Sequence, residues 1–465
     1  MVPLHAMKAK PSLFPSLFRA LLPPGPGTAR EKERNRFQGL GWILQKLILK
    51  NRKLRLGLLC QVSTREAHLL RREGWQSLLE RKQKITVVFE VTTISKWKAD
   101  SLLRLMLVHP RLTPIVWHIP PQRKGKNEAR HMQERQQCRD YFAAAGVKFV
   151  TYDSLGDFPM DETPDLVFPN EPYNAILLNK CHSGLLKRFL CFIPYGYTCS
   201  FSEKSRNLII TNAALEFYVE NEDSREQCKK LMDNRAVNVA ATGHPMADSF
   251  LFPEGERPQA WKECGEHMKK VIWAPHWSIT KDTVWLFYGT FLHTAEILLE
   301  MAEKYRGQIQ FAFKPHPNLY DTLCRHPQWG KEKTDAFYAR WREMPNTQFE
   351  NGAYVDLFMQ SDAMIHDCGS FIQEYLFADK PCMYLKYPDN HPEYSAMAAD
   401  CLNAYQMGIT REEIEAFLQV VLRGEDPKAE IRRELRKKYL IPPNGKSAAQ
   451  NIIDRLLSAT CREEE

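Results

Sequence analysis

The 12 cysteines of this sequence include no C-x-x-C pair, no uncharged apolar run is long enough to cross a bilayer, and no repeat recurs at a solenoid period. Scattered cysteines argue against structural zinc and a disulfide framework, and they are typical of a reducing compartment. A membrane-spanning helix needs about 20 apolar residues, so the shorter apolar stretches are expected to be strands or core. Prolines interrupt the first 27 residues without an A-x-A cleavage pattern, so we expect no secretory signal.

Excess positive charge is confined to the first 60 residues. They contain twelve Lys or Arg and two Glu, a net charge of +10, whereas the remaining 405 contain 52 basic and 54 acidic residues, a net charge of −2. The nearly neutral remaining 405 residues lack the positive charge of a nucleic-acid-binding domain, so we expect no nucleic-acid partner. Residues 34–58 interleave apolar side chains near helical spacing with Arg and Lys. Such a helix suits an anionic membrane surface, and a core-packing helix with a solvated basic face is the alternative.

Short apolar runs alternate with helical stretches from about residue 84, which predicts parallel, doubly wound sheets with helices on both faces. The pattern restarts after a turn-rich stretch at residues 252–258. We therefore predict an α/β protein with two Rossmann-like domains facing across a cleft and a basic N-terminal helical arm. The predicted boundaries are 1–60 for the arm, 61–252 for the first domain, and 253–465 for the second domain with its closing C-terminal helices. Strands are predicted at 85–91, 114–119, 147–152, 165–169, 189–195, 208–211, 237–242, 270–274, 308–313, 348–350, 363–366 and 382–385.

Polar residues follow three predicted strands of the second domain. Ligands of open parallel sheets bind beyond the carboxyl ends of strands, so these positions are candidate sites. His276 follows the first strand, and Lys314 and His316 follow the second. Lysine is a point charge suited to phosphate, and histidine exchanges a proton near neutral pH. A hydrogen-bonded turn role is the alternative for either histidine.

The third position is a tight loop between a strand and a helix, with Asp367, Gly369 and Ser370. Backbone N–H groups at such a helix start attract phosphate, Gly369 permits close approach, and Ser370 adds a hydroxyl donor. Glu374, one turn into the helix, is placed to accept hydrogen bonds from ribose. The alternative is that Ser370 is only a helix cap and Glu374 lies on a solvated face. In the first domain, Tyr195 and Gly196 form a comparable loop facing the predicted cleft.

In this order, these residues resemble the CDP-glycerol glycerophosphotransferase family, the teichoic-acid polymerases and primases with a GT-B fold. Family segments of the type A-P-T-W-R, R/K-x-H, S-D-x-x-I-T-D-Y-S-S-x-x-F-D and D-K-P correspond to residues 274–277, 314–316, 361–374 and 379–381. Similar elements lie at 164–168, 243–248 and 444–449. The resemblance extends from about residue 85 to 458.

The resemblance implies roles for these residues. Asp367, Gly369 and Ser370 would hold the pyrophosphate of a CDP-linked donor, and Glu374 would hold its ribose. His316, with Lys314, would lie at the reacting phosphate, and His276 is a further catalytic candidate. An acceptor hydroxyl would attack the β-phosphate of CDP-glycerol and release CMP. Because cationic side chains and the helix start neutralise charge, neither a metal nor a cofactor is expected.

Two positions depart from the family pattern. The polymerases carry a W-H-G motif whose histidine is the expected general base, and Tyr195, followed by Gly196, occupies that place here. The ordinary pKa of a tyrosine hydroxyl, about 10, makes it a poor base at neutral pH. In addition, D-C-G-S replaces D-Y-S-S at 367–370, which removes one hydroxyl from the phosphate loop.

The sequence thus predicts a transferase that moves glycerol phosphate, or a related polyol phosphate, from a CDP-activated donor to a membrane-linked polyol-phosphate or glycan acceptor. It would act in bacterial surface-polymer synthesis, such as that of teichoic acid or capsule, in the cytoplasm at the inner face of the cell membrane. One alternative is a GT-B glycosyltransferase or a UDP-sugar epimerase-like enzyme. Another is a non-catalytic nucleotide-binding scaffold.

Overall fold

The computed structural model describes residues 63–119, 128–151, 164–171, 189–199, 206–253, 255–280, 288–389 and 392–458. The predicted basic arm, residues 1–60, lies outside these ranges. The chain forms two compact units. Unit 1 comprises Met1–Gly196, Ser202–Met246 and Pro442–Glu465, and unit 2 comprises Tyr197–Phe201 and Ala247–Ile441.

The strands are β1 (Ile85–Val91), β2 (Leu112–His118), β3 (Lys148–Thr151), β4 (Leu166–Phe168), β5 (Phe189–Phe192), β6 (Glu216–Val219), β7 (Val239–Ala241), β8 (Lys269–Ala274), β9 (Ile309–Phe313), β10 (Thr347–Phe349), β11 (Ala363–His366), β12 (Cys382–Leu385) and β13 (Gln406–Gly408). The helices are α1 (Arg65–Arg81), α2 (Asp100–Val108), α3 (Glu128–Ala144), α4 (Ile209–Ala213), α5 (Glu222–Leu231), α6 (Pro245–Leu251), α7 (Phe291–Lys304), α8 (Leu319–Arg325), α9 (Gly330–Glu343), α10 (Val355–Met359), α11 (Phe371–Glu374), α12 (Ala396–Leu402), α13 (Arg411–Leu422), α14 (Ala429–Tyr439) and α15 (Ala448–Leu457).

Each unit contains one parallel sheet. Unit 1 has seven strands in the order β3-β2-β1-β4-β5-β6-β7, and unit 2 has six in the order β10-β9-β8-β11-β12-β13. In both sheets the strand order reverses direction beside a central strand, which is the doubly wound arrangement. The predicted fold class of two Rossmann-like parallel sheets is confirmed.

The sheet of unit 1 is covered on both faces. Phe89 of β1 belongs to a core that includes apolar residues of α2 and α15. Its neighbour Val88 faces the other way and packs with Trp117. This alternation within a continuous apolar run is expected of a strand buried on both sides.

Helix α15 packs in the core of unit 1, although the C-terminal helices were predicted to belong to the second domain. Its buried residues Ala449, Ile452, Ile453 and Leu456 recur at helical spacing and lie in that core. The indole N–H of Trp75 in α1 also donates to the Leu456 carbonyl (2.8 Å). The helical spacing of apolar residues predicts which face of α15 is buried but not the sheet on which the helix packs. The predicted placement of α15 in the second domain was therefore wrong.

One predicted strand is a helix. Residues 208–211 were expected to be a strand, but Ile209–Ala213 form α4 and the strand follows at β6. The Thr211 hydroxyl accepts from the Leu208 N–H (3.0 Å) and closes the first turn. A four-residue apolar run does not distinguish a buried helix from a strand by periodicity. Among the described helices, none is both long and apolar enough to cross a membrane.

Candidate functional site

Three loops at the carboxyl ends of adjacent strands carry most of the predicted site residues in unit 2. Strands β9, β8 and β11 are neighbours in the sheet, and ligands of open parallel sheets bind beyond such strand ends. His276 follows β8, Lys314 and His316 follow β9, and Asp367 follows β11. The rings of His276 and His316 have centroids 5.0 Å apart. The structure therefore brings together residues separated by about 90 positions in the sequence.

Asp367 connects two loops through their backbone groups. Its Oδ1 accepts from the His276 N–H (2.5 Å), and its Oδ2 accepts from the N–H (2.6 Å) and the hydroxyl (2.8 Å) of Thr290. Burial raises the pKa of Asp367 to about 7, and the hydrogen bonds oppose that rise. The oxygens of this fully buried side chain are engaged by protein donors, which fits a role in shaping the loops. Its predicted contact with pyrophosphate stays a prediction.

One local arrangement fixes which ring nitrogen carries the proton in both site histidines. Nδ1 of His276 lies 2.7 Å from the Ser278 hydroxyl and accepts from the Ser278 N–H (3.3 Å), and Nδ1 of His316 accepts from the Asn318 N–H (3.1 Å). Burial lowers the pKa of His316 to about 4, with the charge of Lys314 adding to the shift. Burial, with the neighbouring His316, lowers the pKa of His276 well below its ordinary value. The lowered pKa values favour neutral rings, and a backbone N–H donating to Nδ1 favours the tautomer with its proton on Nε2, a hydrogen-bond donor.

A third histidine of this kind, His366, was not among the predicted site residues. Its Nδ1 accepts from the Cys368 N–H (3.2 Å), and burial lowers its pKa to about 3. The ring is wholly buried between the aromatic rings of Tyr384 and Tyr405. The sequence could have indicated His366, because it is the last residue of a predicted strand. His276 and His316 likewise follow predicted strands.

Lys314 and Glu374 are joined through a tyrosine that sequence reasoning missed. The Tyr354 hydroxyl donates to Oε2 of Glu374 (2.5 Å), and Lys314 Nζ lies 5.3 Å from the centroid of the same ring. Lys314 Nζ also donates to the Gly352 carbonyl (3.0 Å). Burial, followed by the charge of Glu374, raises the pKa of Tyr354 well above its ordinary value, so the hydroxyl remains a donor. Tyr354 comes from the loop before α10, and no pattern in the sequence marked it.

The loop before α11 differs from the simple glycine-rich loop that the sequence suggested. A Cβ atom added to Gly369 would lie 3.0 Å from Sγ of Cys199, so the missing side chain makes room for that thiol. Ser370 is exposed and its hydroxyl makes no capping hydrogen bond to the helix backbone. Ser370 occupies the N-cap position of α11 without a side-chain capping bond, whereas Glu374 is buried and not on a solvated face. The contact of Ser370 with phosphate stays a prediction.

The D-K-P segment has a structural role. Asp379 adopts a left-handed conformation (φ 54°) at the end of the 3₁₀ helix Tyr375–Ala378. It accepts from Nε of the fully buried Arg432 (2.9 Å), whose Nη1 donates to Asp426 (3.1 Å). Breaking a buried ion pair leaves an unpaired charge, so this aspartate holds α14 against the end of the 3₁₀ helix.

In unit 1, Tyr195 and Gly196 follow β5. Tyr195 is 38% exposed and lines a small pocket at the carboxyl ends of β1, β4 and β5. Lys96 Nζ lies 5.8 Å from the Tyr195 ring centroid, and the same ammonium pairs with Glu171. Glu171 also accepts from the Thr92 hydroxyl (2.8 Å). Sequence reasoning identified the tyrosine but not the charged residues around the pocket.

His244 positions the backbone next to Tyr195. Its Nε2 donates to the Pro194 carbonyl (2.8 Å), and its Nδ1 accepts from the Met246 N–H (3.1 Å). Burial lowers the pKa of His244, which favours the neutral ring. With both nitrogens engaged in this way, His244 acts as a structural residue of the loop.

The described parts of the chain contain no group of three or more His, Cys, Asp or Glu side chains arranged to hold a metal ion.

Known structures share this fold. The UDP-GlcNAc 2-epimerase from Neisseria meningitidis is 15% identical, with a TM-score of 0.51 over 80% of this chain and 99% of the other. The S. aureus MnaA structure with UDP is 10% identical, with a TM-score of 0.51 over 80% and 96%. The wall teichoic acid polymerase TagF is 13% identical, with a TM-score of 0.49 over 83% and 93%. At these identities the likeness to the first two structures concerns the fold alone, and it confirms the predicted GT-B-like class.

Family membership comes from the sequence. No curated protein matches the chain. The family model described as CDP-Glycerol:Poly(glycerophosphate) glycerophosphotransferase matches residues 174–458, which is more than half of the chain and includes all three site loops of unit 2. The chain therefore belongs to the CDP-glycerol:poly(glycerophosphate) glycerophosphotransferase family and is a transferase of that type.

Proposed function

We propose that the protein transfers glycerol phosphate, or a related polyol phosphate, from a CDP-activated donor to a membrane-linked polyol-phosphate or glycan acceptor, with release of CMP. The product would be a bacterial surface polymer such as teichoic acid or a capsule. The observation that carries the proposal is the cluster of His276, His316 and Lys314 at adjacent strand ends inside the family match. Neither a metal nor a cofactor is part of it.

The cluster suits a donor with two phosphate groups. The ammonium of Lys314 supplies a full positive charge, and the Nε2–H groups of His276 and His316 supply neutral donors. Both kinds of group stabilise the charge on the phosphates as the bond to CMP breaks. Ser370, exposed at the start of α11, would contact the pyrophosphate, and Glu374 would accept from the ribose hydroxyls.

Incubation with CDP-glycerol and with UDP-GlcNAc, each with and without a polyol-phosphate acceptor, tests the reaction class. We expect CMP, and only when the acceptor is present. Release of UDP from UDP-GlcNAc would favour the alternative glycosyltransferase, and conversion of the sugar without release of nucleotide would favour an epimerase-like enzyme. Binding of nucleotides without turnover would favour the scaffold alternative.

The basic arm, residues 1–60, supports a peripheral position at the cytoplasmic face of the membrane. Near an anionic surface, each Lys or Arg contributes about 1 kcal/mol of attraction, and the arm has a net charge of +10. Deleting residues 1–60 should release the protein from vesicles that contain anionic lipid and leave CMP release with a soluble acceptor intact. Continued sedimentation of the deletion variant with these vesicles would contradict this part of the proposal.

A further inference from the structure

A row of aromatic rings extends along the carboxyl edge of the unit 2 sheet, starting at the histidine pair. The Tyr288 ring centroid lies 5.5 Å from that of His276, and the Tyr394 centroid lies 6.2 Å from that of Tyr288. His276 follows β8, Tyr394 lies in the loop between β12 and α12, and β11 separates these two strands in the sheet. Because ligands of open parallel sheets bind at this edge, Tyr394 lies beside the predicted phosphate site.

The hydrogen bond between Tyr384 and Tyr394 has a direction that follows from burial. The two hydroxyl oxygens lie 3.0 Å apart, and Tyr384 is 1% exposed whereas Tyr394 is half-buried. Within the described part of the chain, the Tyr384 hydroxyl has no hydrogen-bond partner other than Tyr394. If Tyr394 were the donor, the buried O–H of Tyr384 would be left without an acceptor, which is unfavourable. Tyr384 therefore donates and Tyr394 accepts.

Tyr394 keeps its own hydroxyl proton for a further hydrogen bond. Burial raises the pKa of Tyr394 to about 12, and the hydrogen bond from Tyr384 opposes that rise, so the phenol is protonated at neutral pH. No described residue accepts this proton. The next ring of the row differs, because the Tyr288 hydroxyl is engaged by the Cys199 thiol. Tyr394 thus presents a half-buried donor at the edge where ligands bind.

We propose that Tyr394 binds a hydroxyl group of the polyol that is transferred, and that it is a specificity-determining residue for the donor. This assignment rests on the proposed function. The phenol O–H donates to a hydroxyl oxygen, and the face of the ring packs against the carbon skeleton of the polyol. A transferred group without that hydroxyl would leave the Tyr394 donor without a partner, which disfavours it.

The strand order places Tyr394 on the side where the polyol is expected. A CDP-linked polyol is linear, with the ribose, the two phosphates and the polyol in sequence. Glu374, the predicted ribose contact, is joined to Tyr354, which follows β10, whereas Tyr394 follows β12. His276 and His316 follow β8 and β9, which lie between those strands. With the ribose on the β10 side of the reacting phosphate, the polyol extends toward β12.

The test removes the two partners of this hydrogen bond separately and together. Wild type and Tyr394→Phe are compared with CDP-glycerol and with two deoxy analogues, each lacking one of the hydroxyl groups of the glycerol. The readout is kcat/KM for acceptor-dependent CMP release. We expect the wild type to prefer CDP-glycerol over one analogue by about tenfold, the size of one net hydrogen bond. Tyr394→Phe should lose this preference by becoming slower with CDP-glycerol alone, because the two changes remove the same interaction.

Tyr305→Phe is the matched control. The Tyr305 hydroxyl also accepts one hydrogen bond, from Gln419 (2.8 Å), and donates another, to Glu415 (2.8 Å), but it lies at the end of α7, whereas the β8 loop precedes that helix. Its preference among the three donors should equal that of wild type. If thermal unfolding shows that Tyr394→Phe does not fold, Tyr384→Phe decides, because it removes the donor that orients Tyr394 and should lower the preference by about threefold.

The outcomes separate this assignment from the proposed function. A wild type that uses both analogues as well as CDP-glycerol, or a folded variant that keeps the wild-type preference, overturns the role of Tyr394 and leaves the proposed function intact. Equal losses of Tyr394→Phe with all three donors have the same meaning, because the hydroxyl would then act on something other than the polyol. A wild type that releases no CMP from CDP-glycerol with any acceptor overturns the proposed function and the role of Tyr394 with it.

Discussion

The carboxyl edges of the two sheets are chemically different, although both sheets are parallel and covered by helices on both faces. In unit 2 the edge is closely hydrogen-bonded: Asp367 is fully buried, its oxygens accept from backbone and hydroxyl donors, and burial lowers the pKa of both His276 and His316. In unit 1 the edge is a pocket lined by Lys96 and Tyr195, and Lys96 pairs with Glu171. Several hydrogen-bond donors beside a lysine suit the stabilisation of phosphate charge, whereas a lysine already paired with a carboxylate has less positive charge to offer.

The largest effect that tests this contrast is expected from His316→Ala. If Nε2–H of His316 stabilises the charge on the reacting phosphate, its loss should reduce kcat by about 100- to 1,000-fold, as the loss of single transition-state donors does elsewhere. The readout is steady-state CMP release with saturating donor and acceptor.

His326→Ala is the matched control for His316→Ala. Its Nδ1 also accepts from a backbone N–H two residues on, that of Gln328 (3.3 Å), but it ends α8 away from the strand-end loops. The control should keep wild-type kcat. Equal losses in both variants would show that the local turn, not the donor, accounts for the effect.

The dependence of the unit 2 loops on the Asp367 carboxylate is tested by Asp367→Asn. An amide cannot accept at both former oxygens, so either His276 N–H or the donors of Thr290 would face an NH₂ group. A buried donor without a partner costs about 1–3 kcal/mol, and we expect the free energy of unfolding to fall by about 2 kcal/mol in urea titrations. Glu425→Gln, which weakens an exposed pairing with Arg423, should leave it nearly unchanged. An unchanged midpoint for Asp367→Asn would mean that the loops do not depend on this carboxylate.

Acid should lower the free energy of unfolding because of the buried histidines in unit 2. The pKa of His366 is lowered from 6.5 to about 3, so between these pH values the unfolded chain binds a proton that the folded chain does not. Stability is therefore retained above pH 6.5 and lost as the pH falls toward 3. His366→Leu should reduce the slope of unfolding free energy against pH, measured between pH 4 and 6, by about 1.4 kcal/mol per pH unit. A slope identical to that of wild type would contradict this prediction.

The sequence predicted the strands of the site better than the contacts between them. Ala363–His366 and Cys382–Leu385 have the expected bounds, because buried strands of parallel sheets read as continuous apolar runs. Residues 208–211 were misassigned because four apolar residues fit a strand and a buried helix equally. The strand Gln406–Gly408 was missed, since its half-exposed residues Gln406, Met407 and Gly408 lack that apolar signal.

No sequence pattern indicated the side chains that act through tertiary contacts. Thr290 and Tyr354 reach the site from loops before α7 and α10, at sequence distances that periodicity does not address. Glu90 lies inside an apolar run, and the run alone does not indicate what this charged residue does. Positions directly after strands were found because the geometry of parallel sheets alone makes them candidates.

The smallest expected effect separates positioning from chemistry within unit 2. Tyr354→Phe removes the hydroxyl that donates to Glu374 but keeps the ring beside Lys314. If Glu374 holds the ribose in ground state and transition state alike, the KM for CDP-glycerol should rise by about fivefold, which corresponds to ~1 kcal/mol, while kcat stays near wild type. Tyr338→Phe is the matched control, because the buried Tyr338 hydroxyl has no hydrogen-bond partner among the described residues. A fall in kcat with unchanged KM would instead indicate that Tyr354, like His316, stabilises the transition state. The ribose-binding and phosphate-binding residues of unit 2 would then act together and not separately.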